Sequence, residues 1–246
     1  MKNLKDADIS DGIKAYNLSR LINGGFNVPD GFILNESDIE EIFSENTTDP
    51  MKYFSECKPA SYYAVRLSLR NEEDKNNSFD ETFESKLFLK RKPEKLIQAM
   101  KYVISSAKEN HPDIFNYNNS VSLNIIIQNM IKESSLIGIA FSNAVDDNGN
   151  EIIRIEASEA LADKLVPGSS SLSMVNVLKS DLNNNDEIID VYGKSFDYSK
   201  MAELAKEVYN IEKYFKKPVR IEWCISDKGE IFFVQADTMK ETYICT

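Results

Sequence analysis

The residues best suited to chemistry lie in the stretch Val219–Asp237, where two alternating apolar runs flank a turn that contains glycine. If Lys228-Gly229 forms a two-residue hairpin loop, Glu222 lies directly opposite Gln235 on one face of the hairpin. A carboxylate beside an amide carbonyl offers two hard oxygen donors, which suit a Mg²⁺ ion that carries nucleotide phosphates. The alternative is that these side chains form only the polar outer face of a hairpin.

The same register places Arg220 opposite Asp237, on the same face as Glu222 and Gln235. Opposite charges that face each other across an antiparallel pair of strands stabilise the pair by roughly 0.2–1 kcal/mol. The spacing therefore predicts a cross-strand ion pair next to the candidate metal ligands.

The composition describes an acidic globular protein. The 246 residues carry a net charge of -11, with 42% hydrophobic and 28% charged residues. Such a charge argues against nucleic acid or an anionic membrane as the main partner, because both need clustered Lys and Arg. No apolar run approaches the roughly 20 residues that cross a bilayer. Three cysteines (Cys57, Cys224 and Cys245) match no pairing motif, so we expect reduced thiols in a cytoplasmic protein.

Hydrophobic periodicity and turn residues predict a mixture of helices and strands. In chain order, the pattern predicts a helix over 12–23 capped by Ser10 or Asp11, strands over 62–68 and 82–89, a helix from Pro93, strands over 121–130, 136–142 and 151–155, a helix over 200–215 and the hairpin. Residues 167–192 are polar and are predicted to be irregular. The fold class is therefore α+β.

Four collinear stretches resemble the nucleotide-binding domain shared by phosphoenolpyruvate synthase, pyruvate phosphate dikinase and rifampin phosphotransferases. The first, DGIKAYNLSRLINGGFNVPDGFIL, is similar to that family's G-G-K-x-x-N-L-x-x-L…V-P-x-G-F. The second, AVRLSLRNEEDKNNSFDETFE, is similar to A-V-R-S-S-A-T-x-E-D…S-F-A-G-Q-x-E-T. The third runs from IIQNM to IEAS and is similar to V-Q-x-M-V…I-E-A-S. The fourth is E-W followed by V-Q-A, similar to E-W…V-Q-A/S-R-P.

The resemblance implies an ATP-grasp fold of two lobes, 1–112 and 113–246, with the nucleotide site between them. It implies ATP and Mg²⁺ as cofactors and Mg²⁺-dependent phosphoryl transfer as the activity. Larger relatives pass the phosphoryl group to a histidine on a separate domain, and this sequence contains no similar glycine-rich histidine motif. The expected acceptor is therefore a histidine on a partner protein or a small molecule. An adenylate-forming or ligase reaction stays open.

The resemblance also assigns roles to individual residues. Lys14 would contact the ATP phosphates, and its place in the first turn of a helix favours an anion there. Arg66 would grip phosphate oxygens and take part in catalysis. Gln128 and Met130 would border the adenine, and Glu222 and Gln235 would bind the metal. The alternatives are a solvated surface lysine, an ion pair of Arg66 with Glu72 or Glu73, and Met130 as plain core. Glu156 matches another family acid, which is a weak signal.

Two charges depart from the family pattern. Asp237 replaces the arginine of Q-x-R-P, and Arg220 stands where the family has an acid. Glycines that approach phosphates are also replaced, in Ser78-Phe79-Asp80-Glu81 and in Ala160-Leu161-Ala162-Asp163. One hypothesis is that Arg220 supplies the missing catalytic cation. The other is a catalytically degenerate module that only binds nucleotide or regulates a partner.

Overall fold

The chain folds as two compact units. The computed structural model describes residues 1–44, 60–69, 83–112, 122–131, 134–159, 173–180, 182, 188–192, 197–239 and 243–244. Unit 1 comprises Met1–Asn23 and Pro29–Lys132, and unit 2 comprises Gly24–Val28 and Glu133–Thr246. Within the described ranges, no helix is both long enough and apolar enough to cross a membrane.

Unit 1 contains a five-stranded antiparallel sheet in the order β1-β2-β5-β3-β4. Its strands are β1 (Lys2–Asn3), β2 (Gly31–Leu34), β3 (Tyr62–Leu69), β4 (Lys86–Lys90) and β5 (Leu123–Asn129). Its α-helices are α1 (Ile13–Asn23), α2 (Glu36–Phe43) and α3 (Pro93–Asn110). Two short 3-10 turns, Leu4–Asp6 and Ile9–Asp11, precede α1.

The core of unit 1 lies between one face of the sheet and helices α2 and α3. The predicted helix from Pro93 is confirmed, because its apolar residues recur every three or four positions and pack on this core. Alternating residues of β3 and β5 supply the other side. The buried members on the sheet and on α3 include Val65, Leu67, Ile125, Ile127, Leu96, Met100 and Val103.

Strand β5 lies at the centre of the unit-1 sheet, between β2 and β3. We predicted this strand but expected it in the second lobe, and that placement is wrong. The segment Leu123–Gln128 is buried throughout, as expected for a strand covered on both faces. Unit 1 accordingly extends to Lys132, whereas the predicted lobes divide at 112/113.

Unit 2 contains a seven-stranded sheet in the order β11-β10-β6-β7-β8-β9, with β12 pairing in parallel with the end of β6. Its strands are β6 (Ser134–Val145), β7 (Glu151–Glu159), β8 (Ser173–Leu178), β9 (Ile188–Tyr192), β10 (Val219–Ser226), β11 (Ile231–Thr238) and β12 (Tyr243–Ile244). Strands β8 and β9 lie inside the stretch 167–192, so the prediction of irregular structure there is wrong.

Helix α4 (Tyr198–Phe215) covers one face of the unit-2 sheet. It starts two residues before the predicted Lys200 because the Asp197 side chain accepts hydrogen bonds from the backbone N–H groups of Ser199 and Lys200. Its apolar residues recur at helical spacing and are buried, namely Met201, Leu204, Val208 and Ile211. Beneath α4, one residue from each of five neighbouring strands is fully buried, namely Ala236, Ile221, Ala140, Ile155 and Val175.

The hairpin of β10 and β11 pairs Glu222 with Gln235 and Arg220 with Asp237, as predicted. The predicted two-residue loop is wrong. The backbone N–H of Ser226 donates to the Glu230 carbonyl at 2.9 Å, so the loop has three residues, 227–229. Gly229 has a φ of 78°, the left-handed conformation that such a loop requires at its last position.

The longer loop shifts the pairing by one residue, so that Trp223 faces Phe233. A β-bulge at Val234 then shifts the pairing back before Gln235. The predicted partners of Glu222 and Arg220 are therefore correct because two deviations from the assumed hairpin cancel.

Candidate functional site

The face of the unit-2 sheet that points away from α4 carries two rows of side chains, and we call it the polar face. Adjacent strands place residues of each row directly beside one another. The first row contains Asp237, Arg220, Phe141, Arg154 and Asn176. The second row contains Gln235, Glu222, Ile139, Glu156 and Met174.

Four side chains at the β10–β11 end of this face form a connected group, which we call the Arg220 cluster (Arg220, Glu222, Gln235 and Asp237). Arg220 Nη1 donates to Asp237 Oδ2 at 3.3 Å, and Arg220 Nη2 lies 3.8 Å from Glu222 Oε1. Gln235 Nε2 donates to the same Asp237 oxygen at 2.9 Å. One positive and two negative charges give the cluster a net charge of −1.

The cluster fits a magnesium ion by the chemistry of its donors. The bond from Gln235 Nε2 to Asp237 turns the amide carbonyl oxygen away from Asp237 and fixes its orientation. Glu222 lies directly opposite, and its contact with Arg220 is longer than a hydrogen bond. In the part of the chain that the structure describes, no three His, Cys, Asp or Glu side chains form a metal-binding group. An ion held here would complete its shell with water or phosphate oxygens, as Mg²⁺ commonly does.

In unit 1, Lys14 lies in the first turn of α1 as predicted, and it is buried rather than solvated. Its Nζ lies 5.8 Å from the centroid of the Phe83 ring. The start of α1 is held by Ser68 of β3, whose Oγ accepts from the Ala15 N–H at 3.3 Å and donates to the Asp11 carbonyl at 2.8 Å. The predicted cap by Ser10 or Asp11 is therefore wrong.

The Asp11 side chain stabilises the turn that precedes α1. Its side chain accepts from the Asp8 backbone N–H at 2.9 Å and pairs with Lys2 at 2.6 Å, which closes the 3-10 turn before α1. The hydrogen bonds to Asp11 and Asp8 raise the pKa of Lys2 above its ordinary value. This network positions the chain that enters α1, and with it Lys14.

Arg66 lies in the middle of β3, opposite Ile126. Because side chains alternate along a strand, Arg66 shares the face of Ser68, which is the face toward α1. Its side chain is half-buried. The alternative partners Glu72 and Glu73 lie outside the described residues.

Gln128 shares that face, since Ala64 pairs with Gln128 and Arg66 with Ile126. It is buried, and its Nε2 donates to the Pro29 carbonyl at 3.4 Å, which holds the chain before β2. Met130 lies just after β5 and is half-buried rather than plain core. Its backbone N–H donates to the Tyr62 carbonyl, and its sulfur accepts from the Phe88 N–H at 3.0 Å.

Two polar residues of the polar face, Arg154 and Asn176, were not among the predicted site residues. Arg154 lies two positions before Glu156 on β7, and Asn176 lies beside Arg154 on β8. The alternation of polar and apolar residues in Arg154-Ile155-Glu156 was a signal that could have indicated Arg154. Their common face depends on long-range strand pairing, which no local pattern shows.

Comparison with known proteins gives likenesses of fold. No family model matches the chain, and no curated protein matches it. Among solved structures, PH1788 from Pyrococcus horikoshii Ot3 is 11% identical with a TM-score of 0.54, over 94% of this chain and 91% of that chain. The L-amino acid ligase from Bacillus licheniformis is 10% identical with a TM-score of 0.49, over 93% and 43%. The D-alanine–D-alanine ligase from Bacillus anthracis complexed with ATP is 14% identical with a TM-score of 0.46, over 96% and 57%.

The predicted α+β fold class is confirmed by the two mainly antiparallel sheets and the helices of the chain. It spans 51% and 43% of the first two ligases that it matches, so it corresponds to about half of each. The narrower resemblance to phosphoenolpyruvate synthase and its relatives stays a prediction.

Proposed function

We propose that this chain is a nucleotide-binding module that uses ATP and Mg²⁺ for phosphoryl transfer. The observation that carries the proposal is the Arg220 cluster, in which two oxygen ligands for a metal and an arginine lie on one face of the sheet. Phosphoryl transfer requires from the protein mainly positioned cations around the phosphate oxygens.

In this proposal Glu222 and Gln235 hold the magnesium ion, and Asp237 adds a second carboxylate beside them. When bound, the ion would neutralise and orient phosphate oxygens. Lys14 and Arg66 would neutralise the remaining charge of the triphosphate. Gln128 and Met130 would border the adenine.

Arg220 has the role of the arginine that the family places at the position of Asp237. Its guanidinium is held by Asp237 at 3.3 Å, so its orientation is fixed before any substrate arrives. A fixed cation beside the transferring group stabilises the charge that develops in the transition state. The phosphoryl acceptor would be a histidine of a separate phosphohistidine-domain protein or a small molecule.

The alternative function is a nucleotide-binding or regulatory module without catalysis. One observation favours it: the charge of Arg220 is already balanced by Asp237 and lies near Glu222. An arginine engaged in this way loses part of its attraction for a phosphate, because binding must then compete with the ion pair.

Calorimetric titration with MgATP tests the site. We expect the wild type to bind and the double variant Glu222→Ala/Gln235→Ala to bind at least about tenfold more weakly, a loss of roughly 1.4 kcal/mol. Asp227→Ala/Glu230→Ala is the matched control, because it changes two exposed side chains at the turn of the same hairpin. Equal binding by the wild type and the Glu222/Gln235 variant, or no binding by the wild type, would contradict the proposal.

Turnover separates the two functions. Incubation with labelled ATP and candidate acceptors should release ADP, or AMP with phosphate, and Arg220→Ala should abolish this turnover while Mg²⁺-dependent binding persists. Binding without turnover in the wild type, and turnover gained only by Arg220→Asp/Asp237→Arg, would identify the non-catalytic module.

A further inference from the structure

A second polar group, formed by Arg154 and Glu156 of β7 and Asn176 of β8, lies on the polar face of unit 2. Only strand β6 separates it from the Arg220 cluster. Arg154 and Asn176 are 8% and 7% exposed, so both polar side chains are withdrawn from bulk water. Arg154 Nε donates to Glu156 Oε1 at 3.0 Å.

One buried polar atom of this group has no hydrogen-bond partner among the residues that the structure describes. Asn176 Oδ1 is buried and accepts no hydrogen bond from the described residues. Buried amide oxygens in folded proteins almost always have a donor, so this atom is a candidate acceptor for a hydroxyl group of a ligand. Arg154 Nη2 lies 2.7 Å from Met174 Sδ, and a thioether is a much weaker acceptor than an anionic oxygen.

These three side chains define the ligand that would complement them. Arg154 matches a carboxylate, which a guanidinium binds with two parallel hydrogen bonds. Asn176 Oδ1 matches a hydroxyl that donates to it, and the carboxylate of Glu156 matches a second hydroxyl. A small carboxylic acid with two hydroxyls provides all three groups.

The group formed by Arg154, Glu156 and Asn176 lies near enough to the Arg220 cluster for a phosphoryl group to be transferred to a ligand bound there. Glu156 and Glu222 lie in the same row with one strand between them, and strands are about 4.8 Å apart. Their Cα atoms are therefore about 10 Å apart, and both side chains project from the same face. Ile139 of β6 forms the apolar floor between them. A hydroxyl at Glu156 and a phosphoryl group at Glu222 would be neighbours.

We propose that Arg154, Glu156 and Asn176 bind the phosphoryl acceptor, and that this acceptor is a small polyhydroxy acid. The proposal rests on the phosphotransferase function and selects the small molecule over the partner histidine. Arg154 binds the carboxylate, Asn176 orients one hydroxyl, and Glu156 receives the proton of the other.

The reaction is a substitution at the terminal phosphorus of ATP. The acceptor oxygen forms a bond to this phosphorus, and the bond from phosphorus to the bridging oxygen breaks, with its electron pair leaving on ADP. The hydroxyl proton passes to the Glu156 carboxylate and then to solvent. The products are ADP, the phosphorylated acid and one proton.

Three-carbon probes test the acceptor site in the full chain. Glycerate has the carboxylate and both hydroxyls, propionate lacks the hydroxyls, and glycerol lacks the carboxylate. Labelled MgATP should give phosphorylated product with glycerate at a rate at least about tenfold higher than with glycerol, and none with propionate. Saturation-transfer NMR, which detects binding without turnover, should also show a preference for glycerate over the other two probes.

Variants then assign the roles. Asn176→Ala should raise the KM for glycerate about tenfold with little change in ATP binding, and Glu156→Gln should lower kcat by about a hundredfold or more. Glu203→Gln, an exposed member of a surface ion pair, is the control and should change neither. The probe comparison on the wild type needs no variant, so a variant that fails to fold does not decide the result.

Failure of this inference is distinct from failure of the proposed function. A wild type that binds MgATP but neither binds nor phosphorylates glycerate would overturn the acceptor site alone. Equal transfer to glycerate and glycerol, or unchanged kinetics in Glu156→Gln, would also overturn it. A wild type that does not bind MgATP would overturn both proposals.

Discussion

The ion pair between Arg220 and Asp237 should be energetically coupled, and a double-mutant cycle measures that coupling. The two side chains are each 18% exposed and their charged atoms are 3.3 Å apart. Exposed pairs contribute about 0.2–1 kcal/mol, whereas removal of one partner of a buried pair costs about 3–5 kcal/mol. We expect the energy of a half-buried ion pair to lie between these values.

The neighbours of the pair lower the expected value. When Arg220 is replaced by alanine, Asp237 still accepts the hydrogen bond from Gln235 Nε2. When Asp237 is replaced, Arg220 still has Glu222 at 3.8 Å. Because each partner retains a second contact, we expect a coupling of about 1 kcal/mol, at the lower end of the interval.

Urea unfolding of the wild type, Arg220→Ala, Asp237→Ala and the double variant gives the four free energies of unfolding. The two single losses should together exceed the loss in the double variant by the coupling energy. The surface pair Lys200–Glu203, whose side chains are 25% and 55% exposed, is the control, and its cycle should give no more than about 0.5 kcal/mol. In high salt both couplings should fall, the control more than the Arg220 pair.

Additivity within about 0.3 kcal/mol at Arg220 and Asp237 would refute this reasoning. It would mean that water screens the pair completely or that the register at this end of the hairpin differs. The charge-exchange variant Arg220→Asp/Asp237→Arg should unfold within about 1 kcal/mol of the wild type, since the ion pair is restored in the opposite orientation.

Four further substitutions, one of them a control, test packing and protonation. Gly12→Ala should destabilise the fold by about 2–4 kcal/mol, because φ is 91° and an added Cβ would lie 2.3 Å from a neighbouring oxygen. Gly25→Ala is the control: Gly25 has a φ of 83° but open space around it, so this substitution should cost only about 1 kcal/mol. Gly138→Ala would bring a Cβ to 1.9 Å from the Glu156 carbonyl oxygen and to 2.6 Å from the ring of Trp223, the single tryptophan. Urea unfolding should therefore show a loss of at least about 2–4 kcal/mol, and the fluorescence should change. Burial raises the pKa of Cys224 to about 12 from 9.0. The free energy of unfolding should therefore be unaffected by this thiol below pH 9 and should fall as the pH rises above 9, with a limiting slope of about 1.4 kcal/mol per pH unit. Cys224→Ala should reduce this fall. A wild-type free energy of unfolding that does not change between pH 9 and 10 would contradict this expectation.

Elements with strong local signals were predicted well from the sequence. The helices from Pro93 and near Lys200 have clear 3.6-residue periodicity, and the hairpin has alternating runs around a glycine turn. The Arg220 cluster follows from such a hairpin, because strand neighbours close in sequence need only one turn to meet. Helix capping was less predictable, since the hydroxyl at the start of α1 comes from Ser68, more than fifty residues away.

Elements that depend on distant partners were predicted poorly. Strand β8 contains the alternating Ser173–Leu178, but its flanking polar residues favoured a loop, and its stability comes from pairing with β7. The sheet to which β5 belongs is likewise set by its partners β2 and β3. For the same reason Asn176 could not be assigned to the polar face before the order of strands was known.

The bulge at Val234 determines the direction in which the candidate ligands point, and it does not determine which residues pair. Removing that residue would leave Gln235 opposite Glu222 and Phe233 opposite Trp223, so every observed pair of the hairpin would survive as a regular ladder. What would be lost is the extra local twist that a bulge gives its strand. The deletion would thus keep the identity and partners of the candidate ligands and change only the direction in which they point. The two ends of β11 can therefore serve different purposes, with one end fitted to the helix beneath it and the other rotated to suit a ligand.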